Sequence, residues 1–184
     1  WDVWVNKLYR RGVNLVITVS NDKMLSGEMA TVLTGRYLEN NMLPFSLAEA
    51  SQFADRLGNA EKIQDDFLKN GGYPETFTQR SITQSYLQTL FDSILYKDIV
   101  SRHKIRNATD LNNVAMFLLS NFTGTFSYND VADDLGLSSV TTTKKFMDYL
   151  HEPFLFYYLD RYSNKLKLMK KAPRKVYVVD NGFV

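Results

Sequence analysis

The sequence predicts three parts in order: an α/β unit, a mostly α-helical region and a C-terminal winged helix. Three observations predict this fold class. Residues 14–19, "NLVITV", are apolar on both faces, which is typical of a buried strand in a helix-covered parallel sheet. Residues 82–99 repeat apolar side chains at helical spacing. Residues 127–150 carry a helix-turn-helix pattern, and strand-like runs follow it.

The composition excludes several classes of protein. The chain has 184 residues, 45% of them hydrophobic, a net charge of +2 and no cysteine. It therefore has no disulfide framework, thiolate metal site or cysteine nucleophile, and it suits a reducing compartment. No apolar run approaches the roughly 18 residues that a membrane span needs. We expect a cytoplasmic protein without membrane contact and, because the chain begins with Trp1, a piece of a longer one.

The first part, residues 1–50, alternates helix and strand. A helical pattern in "WDVWVNKLYRRG" stops at Gly12, and the strand at residues 14–19 follows it. The run "KMLSGEMATVLTG" predicts a helix that ends at Gly35, and "RYLENNML" predicts a shorter strand that closes at Pro44. Strands joined by a helical crossover are parallel. Because two strands alone cannot form a covered parallel sheet, we expect its other strands outside this chain.

Several short motifs in this part belong together. Ser20 and Asn21 follow the first strand, "TGR" at residues 34–36 closes the next helix, and "PFSL" at residues 44–47 is followed by Glu49. In this order they resemble the second half of the core of an AAA-type P-loop ATPase. The likeness is to the prokaryotic family in which an AAA domain precedes a C-terminal domain of unknown function, and it extends over nearly the whole chain.

The resemblance implies that Ser20, Asn21 and Arg36 sense a bound nucleotide. A polar side chain at the carboxyl end of a central strand can hold the attacking water near the γ-phosphate, and we favour Asn21 over Ser20 for this role. Arg36 offers a planar cationic donor for phosphate charge. The residues leave other interpretations open, because Ser-Asn after a strand is also typical of a helix cap or turn. Arg36 is equally typical of an ion-paired surface residue.

The groups that hold ATP are missing from the sequence. No G-x-x-x-x-G-K-[ST] motif occurs and no apolar strand ends in a pair of acids, so the phosphate-cradling loop and the Walker B carboxylate are both lacking. We expect ATP and Mg²⁺ to bind the full-length protein, no cofactor for this chain alone, and no catalytic residue within it. Asp180, Gly182 and Phe183 match the family segment that opens a nuclease-like region, so the chain is interpreted as a central fragment.

The second part, residues 51–122, is predicted to be a helical lid or linker. The loop "GGYP" at residues 71–74 matches an element of the family, and the long amphipathic helix at residues 82–99 follows it. "TDLNNVAMFLLSN" predicts another helix over residues 109–121. His103 has no carboxylate or second histidine in its sequence pattern, so we predict that it is not a metal ligand.

The third part, residues 123–184, holds the helix-turn-helix pattern. Ser127 is predicted to cap its first helix, Gly136 to make the turn, and Ser138 or Ser139 to cap the second helix. "PFLFYYLDRY" and "KLKLMKK" are predicted to be two strands joined by a turn as a wing, with "RKVYVVD" as a further strand.

The same part carries the candidate nucleic-acid contacts. They are polar residues predicted on the exposed side of the second helix and lysines of the predicted wing: Thr141, Thr142, Thr143, Lys144, Lys145, Lys165, Lys167, Lys170 and Lys171. Residues 161–175 hold seven Lys or Arg and no acid, which favours a polyanionic partner. Asp130, Asp133 and Asp134 on the first helix would repel a phosphate backbone, and the second helix has no Arg, Asn or Gln for base readout. Protein contact therefore stays open beside DNA contact.

Three functions compete on this basis. The favoured one is the central fragment of an AAA-type ATP-binding protein, with nucleotide sensing, a winged helix for DNA or protein contact and no catalysis by this piece. The first alternative is a non-enzymatic winged-helix DNA-binding regulator, which would distinguish its site from scrambled duplexes. The second alternative is an oligomerisation or scaffold module that binds a second copy of the chain.

Overall fold

The architecture is taken from a computed structural model of the chain. It describes residues 2–18, 36–38, 40–58 and 63–184. The described residues are mostly helical, and a small antiparallel sheet lies near the C-terminus.

The N-terminal segment begins with α1 (Asp2–Arg10), which confirms the first predicted helix. A turn at Gly12 ends it, and residues 13–18 then have no regular secondary structure. The predicted strand at residues 14–19 is therefore wrong over its described part. A strand needs a neighbour that pairs its N–H and C=O groups, and among the described residues no strand pairs with this run.

The second predicted strand of this segment, "RYLENNML", is wrong for the same reason. Residues 36–38 and 40–43 contain no strand, and Leu38 and Met42 are 93% and 92% exposed. The helix predicted between the two strands covers residues 23–35, and all of these residues lie outside the described ranges.

The middle of the chain is helical, as predicted. Its first helices are α2 (Leu47–Arg56), α3 (Ile63–Asn70), α4 (Pro74–Thr78) and α5 (Thr83–Asp92). A capping box begins α2: the Glu49 backbone N–H donates to Ser46 Oγ at 3.4 Å, and the Ser46 backbone N–H donates to Glu49 Oε2 at 2.8 Å. A 3₁₀ turn (Arg80–Ile82) lies between α4 and α5.

Helix α5 continues without a break as a π-helical stretch (Ser93–Val100) and a last turn, α6 (Ser101–His103). This confirms the long amphipathic helix predicted over residues 82–99. Lys104, with φ of 50°, ends it. Helix α7 (Ala108–Ser120) follows, and the Asp110 backbone N–H donates to Asn107 Oδ1 at its start. It confirms the helix predicted over residues 109–121.

The C-terminal part alternates strands and helices. Its elements are β1 (Thr125–Phe126), α8 (Tyr128–Asp134), α9 (Val140–His151), β2 (Phe156–Leu159), α10 (Leu166–Lys171) and β3 (Arg174–Val178). The strand order is β1-β3-β2, and β3 is antiparallel to both neighbours. In this register Thr125 faces Lys175, and Tyr157 faces Tyr177. A 3₁₀ turn (Asn181–Phe183) follows the sheet.

Helix α10 corrects one prediction about this part. "KLKLMKK" alternates polar and apolar residues, and we predicted a wing strand from that period. It is helical because Leu, Lys and Met are all strong helix formers, while β2 already takes β3 as its antiparallel partner. The predicted strands "PFLFYYLDRY" and "RKVYVVD" are confirmed as β2 and β3.

A single hydrophobic core joins the middle of the chain to its C-terminal part. Its most fully buried members come from the long helix, α7, α9 and the sheet: Leu95, Ile99, Leu111, Leu118, Met147, Leu150, Phe156 and Val176. In the N-terminal segment, by contrast, Val5 is buried with Leu15 and Ile17 packed against it. The domain boundaries at residues 50 and 122 stay predictions.

Candidate functional site

Of the predicted nucleotide-sensing residues, the structure describes Arg36; Ser20 and Asn21 lie outside the described residues. Arg36 is exposed, and its guanidinium carbon lies 5.7 Å from the centroid of the Tyr9 ring, within the range of a cation–π contact. Arg36 also lines a cavity of about 900 Å³, which Asp98 lines as well. The sensing role of the three residues stays a prediction.

The helix-turn-helix pair, α8 and α9, has the caps and the turn that the sequence predicts. Ser127 Oγ accepts from the Asp130 backbone N–H at 3.1 Å, and Ser139 Oγ accepts from that of Thr142 at 3.1 Å. Each bond satisfies a donor of the first helical turn that would otherwise be unpaired. Gly136 makes the turn with φ of 61°, a conformation that residues with a Cβ rarely adopt.

Some of the predicted contacts on α9 are accessible. Thr141, Lys144 and Lys145 are exposed. Thr142 is half-buried, and its hydroxyl lies 2.9 Å from Ser139 Oγ, so it takes part in the helix cap. The positions of the two lysines suit contact with a polyanion, and that contact stays a prediction.

Thr143 corrects the predicted set. We placed it on the exposed side of the helix, but it is fully buried and its hydroxyl donates to the Ser139 carbonyl at 3.3 Å. Thr143 stands three and four residues before Phe146 and Met147, so it shares their inward face. Its predicted contact with a nucleic acid is therefore wrong.

The basic connection (residues 160–173) joins β2 to β3. Lys165 and Lys167 are exposed on it, and Arg161 is exposed as well. The side chains of Lys170 and Lys171 lie outside the part that the structure describes. The accessible cations leave the connection with a positive surface, which phosphates would neutralise.

Arg174 fixes the end of the basic connection against the helix-turn-helix pair. Its Nε lies 2.5 Å from Asp160 Oδ1, its guanidinium donates to the Tyr128 hydroxyl, and it stands 5.1 Å from the centroid of that ring. Burial raises the pKa of the Tyr128 phenol, although Arg174 acts against that rise. A hollow of about 380 Å³ is lined by Tyr128, Val140 and Arg174. The end of the basic connection, where the chain enters β3, therefore lies beside the first residues of α8 and α9.

A histidine–carboxylate pair lies between the long helix and the end of α9. His103 Nε2 is 2.7 Å from Glu152 Oε2, and the His103 ring stacks on Tyr149 with centroids 3.7 Å apart. The two side chains are 17% and 5% exposed. A close hydrogen-bonding partner offsets part of the free energy that a carboxylate loses when it is removed from water. The sequence pattern contains no partner for His103, because Glu152 is 49 residues away along the chain.

Asp180 lies where three distant segments meet, which we name the Asp180 junction (residues 44–46, 71–74 and 180–183). Its Oδ2 accepts from the Gly72 backbone N–H at 2.6 Å, and its Oδ1 accepts from that of Gly182 at 2.8 Å. Burial raises the pKa of the Asp180 carboxyl, and the two backbone donors act against that rise. Each oxygen of the carboxylate thus accepts a hydrogen bond from the backbone.

Glycines allow the segments of the Asp180 junction to approach so closely. A Cβ on Gly71 would overlap Asp180 Oδ1, and φ of 75° disfavours any residue with a Cβ there. A Cβ on Gly72 would overlap the Phe45 carbonyl oxygen, and one on Gly182 would lie 2.5 Å from a facing carbonyl oxygen. The spaces between the three segments therefore have no room for a side chain.

Two sets of aromatic rings flank the Asp180 junction: Phe45 with Phe53 and Phe77, and Phe183 with Tyr73 and Phe91. Their centroids lie 5.2 to 6.4 Å apart, in the range of favourable ring pairs. Burial, helped by the charge of Asp180, raises the pKa of the Tyr73 phenol well above its usual range. Asp180 itself is buried beside these rings.

The Asp180 junction was missed at the level of sequence, although its parts were visible there. "PFSL", "GGYP" and the Asp-x-Gly of residues 180–182 were each recognised as motifs. Two neighbouring glycines and an Asp-x-Gly are signals of a close backbone approach. Nothing in their spacing predicts that residues 108 positions apart pair with each other.

Two properties of the described ranges bear on other kinds of site. No helix in those ranges combines the length and the apolar character that crossing a membrane requires. Nor do three or more His, Cys, Asp or Glu side chains of the described residues group together as metal ligands would.

Comparison with known proteins places the two ends of the chain in different families of domain. The model of an AAA domain matches residues 1–51, which confirms the AAA-type character of that segment. A protein from Methanocaldococcus jannaschii, named uncharacterized protein MJ1544, is 30% identical over 98% of this chain and 44% of its own length. An uncharacterized protein from Haemophilus influenzae is 31% identical over 99% of this chain and 48% of its own length. The chain thus spans less than half the length of these curated relatives.

No solved structure matches the chain. The model of a domain of unknown function, DUF8612, matches residues 61–184 and includes the Asp180 junction from Gly71 onward. Because this match covers more than half of the sequence, the chain belongs to the DUF8612 family, with an AAA-type segment ahead of that domain.

Proposed function

We propose that this chain is the part of an AAA-type ATP-binding protein that joins the ATPase core to a winged helix for DNA contact. One observation carries the proposal. The elements from α7 to β3 run helix, strand, helix, helix, strand, helix, strand with sheet order β1-β3-β2, and α10 lies in the basic connection between the last two strands. A helix-turn-helix pair beside an antiparallel sheet, with an exposed basic connection between the last two strands, supports DNA contact through α9 and the connection.

The residues of this chain do not fit a complete ATP site. The sequence contains no phosphate-cradling loop and no paired acids after a strand. ATP and Mg²⁺ therefore enter the proposal for the longer protein, and no catalytic step is assigned to the described residues.

The ATP part of the proposal is tested in the full-length protein. We expect it to bind ATP, and we expect Asn21→Ala to slow hydrolysis at least about tenfold with little change in ATP affinity, as for loss of a water-positioning group. Arg11→Ala, at an exposed arginine, serves as the control. Unchanged hydrolysis in Asn21→Ala would return Ser20 and Asn21 to the role of a helix cap, and a full-length protein without ATP affinity would refute the ATP part.

For DNA, we propose that the exposed lysines of α9 and of the basic connection bind the phosphate backbone. Lys144 and Lys145 stand in the first half of α9, and Lys165 and Lys167 on the connection. Because the helix has no Arg, Asn or Gln to read base edges, the binding depends on phosphate charge and is mostly independent of sequence.

The salt dependence of duplex binding tests this contact in the 184-residue chain. Removing Lys165 and Lys167 together by Ala substitution should reduce the slope of log affinity against log salt by about 2, since each phosphate contact contributes about 0.9. A double Ala variant at Lys7 and Lys69, exposed lysines of α1 and α3, removes the same charge elsewhere and should leave the slope unchanged. Equal slopes in the two variants would contradict the proposal.

One observation favours protein contact as a second candidate. Asp130, Asp133 and Asp134 are exposed on α8, directly before α9. Such an edge repels phosphates and suits a basic protein surface.

Sedimentation of the chain alone tests the second alternative from the sequence, an oligomerisation module that binds a second copy of the chain. Discrimination between a selected duplex and scrambled ones tests the regulator.

A further inference from the structure

We propose that the Asp180 junction opens and closes as a single cooperative unit and so couples the position of the AAA-type segment to β3, which pairs with the two strands on either side of the helix-turn-helix pair. The proposal rests on the proposed function in one respect, the assignment of DNA contact to that pair. The coupling is mechanical and is contained in the described residues.

The first step of the coupling is a relay of backbone hydrogen bonds through Gly72. The Phe45 N–H donates to the Gly72 carbonyl at 2.8 Å, and the Gly72 N–H donates to Asp180 Oδ2 at 2.6 Å. Phe45 lies within the AAA domain match, and Asp180 lies near the end of the DUF8612 match. A shift of Gly72 therefore disturbs bonds to both domains at once.

The second step is steric. Neither Gly71 nor Gly72 has room for a Cβ against the facing segment, and Gly182 is as tightly enclosed. Segments in such contact cannot slide past one another by small amounts, because packed interfaces take discrete arrangements and are not continuously deformable. Asp180 must therefore move together with Gly72, or lose its hydrogen bond to the Gly72 N–H.

The third step connects Asp180 to the helix-turn-helix pair. Asp180 stands two residues after β3, the central strand of the sheet. Between them, the Val179 N–H donates to the Leu155 carbonyl at 3.0 Å, just before β2. Displacement of Asp180 therefore pulls on the strand that pairs with both β1 and β2. Arg174, at the other end of β3, holds the basic connection.

The fourth step makes the opening all-or-none. The Asp180 side chain is only 6% exposed and accepts from two backbone donors. A buried carboxylate that loses one donor carries a large desolvation penalty, so a half-open junction is disfavoured relative to the closed or the fully open form. Closed and open are thus the two populated arrangements.

Native-state hydrogen exchange of the 184-residue chain tests the cooperative unit. As denaturant rises below the unfolding transition, the amides of Phe45, Gly72 and Gly182 should converge on one opening equilibrium, distinct from that of the α7 amides. Three separate equilibria would overturn the proposal. This measurement uses the unmodified chain, so it does not depend on any variant folding.

Asp180→Asn sharpens the test, because its amide group places a donor where Gly72 or Gly182 also donates. We expect exchange at Phe45, Gly72 and Gly182 to rise by one common factor of at least about tenfold, while α7 amides change less than about twofold. Asp134→Asn, at an exposed aspartate of α8, is the matched control and should leave all of these amides unchanged. An effect at Gly72 without one at Phe45 would reduce the junction to a local bond and overturn the proposal.

Addition of duplex DNA separates this proposal from the proposed function. By reciprocity, DNA that binds the helix-turn-helix pair and favours one state of the junction should change exchange at Phe45 by at least about twofold in the unmodified chain and less in Asp180→Asn. If DNA binds and Phe45 exchange stays the same, the coupling is refuted. If DNA does not bind, the DNA contact is refuted, while the exchange data without DNA still decide on the cooperative unit.

Discussion

The segment before α2 and the region from α5 to β3 are both rich in apolar residues, yet they bury them very differently. Val16 and Leu38 in the first are each 93% exposed, whereas Leu118 and Phe156 in the second are fully buried. The region from α5 to β3 encloses a continuous core of helices and sheet. Among the described residues before α2, the buried Val5 has two half-buried neighbours, Leu15 and Ile17. The difference shows that apolar composition alone does not make a core; neighbouring elements must supply the facing surfaces.

The largest effect expected from this difference comes from truncating one buried side chain in each region. Phe156→Ala should lower the free energy of unfolding by about 3 to 5 kcal/mol, because the cavity is enclosed on all sides. Val5→Ala should cost about 1 kcal/mol, since it removes two methyl groups that pack, among the described residues, against the partly buried Leu15 and Ile17. Urea denaturation of the 184-residue chain measures both. Similar losses in the two variants would mean that the segment before α2 shares the main core.

A second contrast uses two glycines with nearly the same backbone conformation. Gly71 and Gly12 have φ of 75° and 73°. An added Cβ meets nothing within 4 Å at Gly12 but overlaps the Asp180 carboxylate at Gly71. Gly12→Ala should therefore show the backbone strain alone, about 1 kcal/mol.

The matching change Gly71→Ala should destabilise the chain by about 2 to 4 kcal/mol, because it adds disruption of a buried carboxylate's hydrogen bonds to the same strain. Thermal and urea denaturation of the two variants measure the difference directly. Equal losses of unfolding free energy in Gly71→Ala and Gly12→Ala would show that disrupting the Asp180 junction does not destabilise the fold further.

The features that the sequence predicts correctly are those that depend on residues close together in the chain. The long helix, the caps at Ser127 and Ser139 and the turn at Gly136 depend on residues within one or two helical turns, so local pattern was sufficient. The strand predicted at residues 14–19 depends on neighbours that no local pattern contains. "KLKLMKK" failed because its period of two competes with the helix propensity of its residues.

The candidate site divides along the same line. The positions predicted as exposed for Thr141, Lys144 and Lys145 are accessible, but the exposed side predicted for Thr143 is wrong, because its spacing of three and four residues from Phe146 and Met147 places it on their buried face. The pairing of Asp180 with Gly72 was out of reach. It joins segments more than a hundred residues apart, and only the folded chain brings them together.

A smaller effect is expected from the helix caps of the two regions. Ser139→Ala removes the acceptor for the Thr142 N–H at the start of α9 and should cost about 1 kcal/mol of global stability, since α9 belongs to the main core. Ser46→Ala removes the corresponding cap of α2 at the edge of the described fold, and we expect a smaller loss, of about 0.5 kcal/mol. Urea denaturation compares them, with Ser120→Ala, at an exposed serine, as the control. A larger loss at Ser46 would place α2 in the cooperative core.

The smallest effect concerns two carboxylates whose pH dependences have opposite signs. Burial raises the pKa of Asp180 above its ordinary 3.8, so the folded state holds the proton more tightly than the unfolded chain. The contribution of Asp180 to stability therefore falls as pH rises from 3.8 through its raised pKa. The Ser46 backbone N–H lowers the pKa of exposed Glu49 below its ordinary 4.5. The contribution of Glu49 is present above pH 4.5 and is lost as pH falls through its lowered pKa.

The free energy of unfolding, measured in urea across the acid range for the unmodified chain, Asp180→Asn and Glu49→Gln, separates the two signs. The stability lost in Asp180→Asn should shrink as pH rises, whereas the stability lost in Glu49→Gln should grow. Each variant carries an amide that does not titrate in this range, so the hydrogen bonds that the amide keeps or loses add nearly the same offset at every pH, and the slope is the informative quantity. A stability difference for Asp180→Asn that grows with pH would mean that the Gly72 and Gly182 donors outweigh burial. The carboxylate would then hold the junction closed most firmly when ionised, and neutralisation by acid would open it.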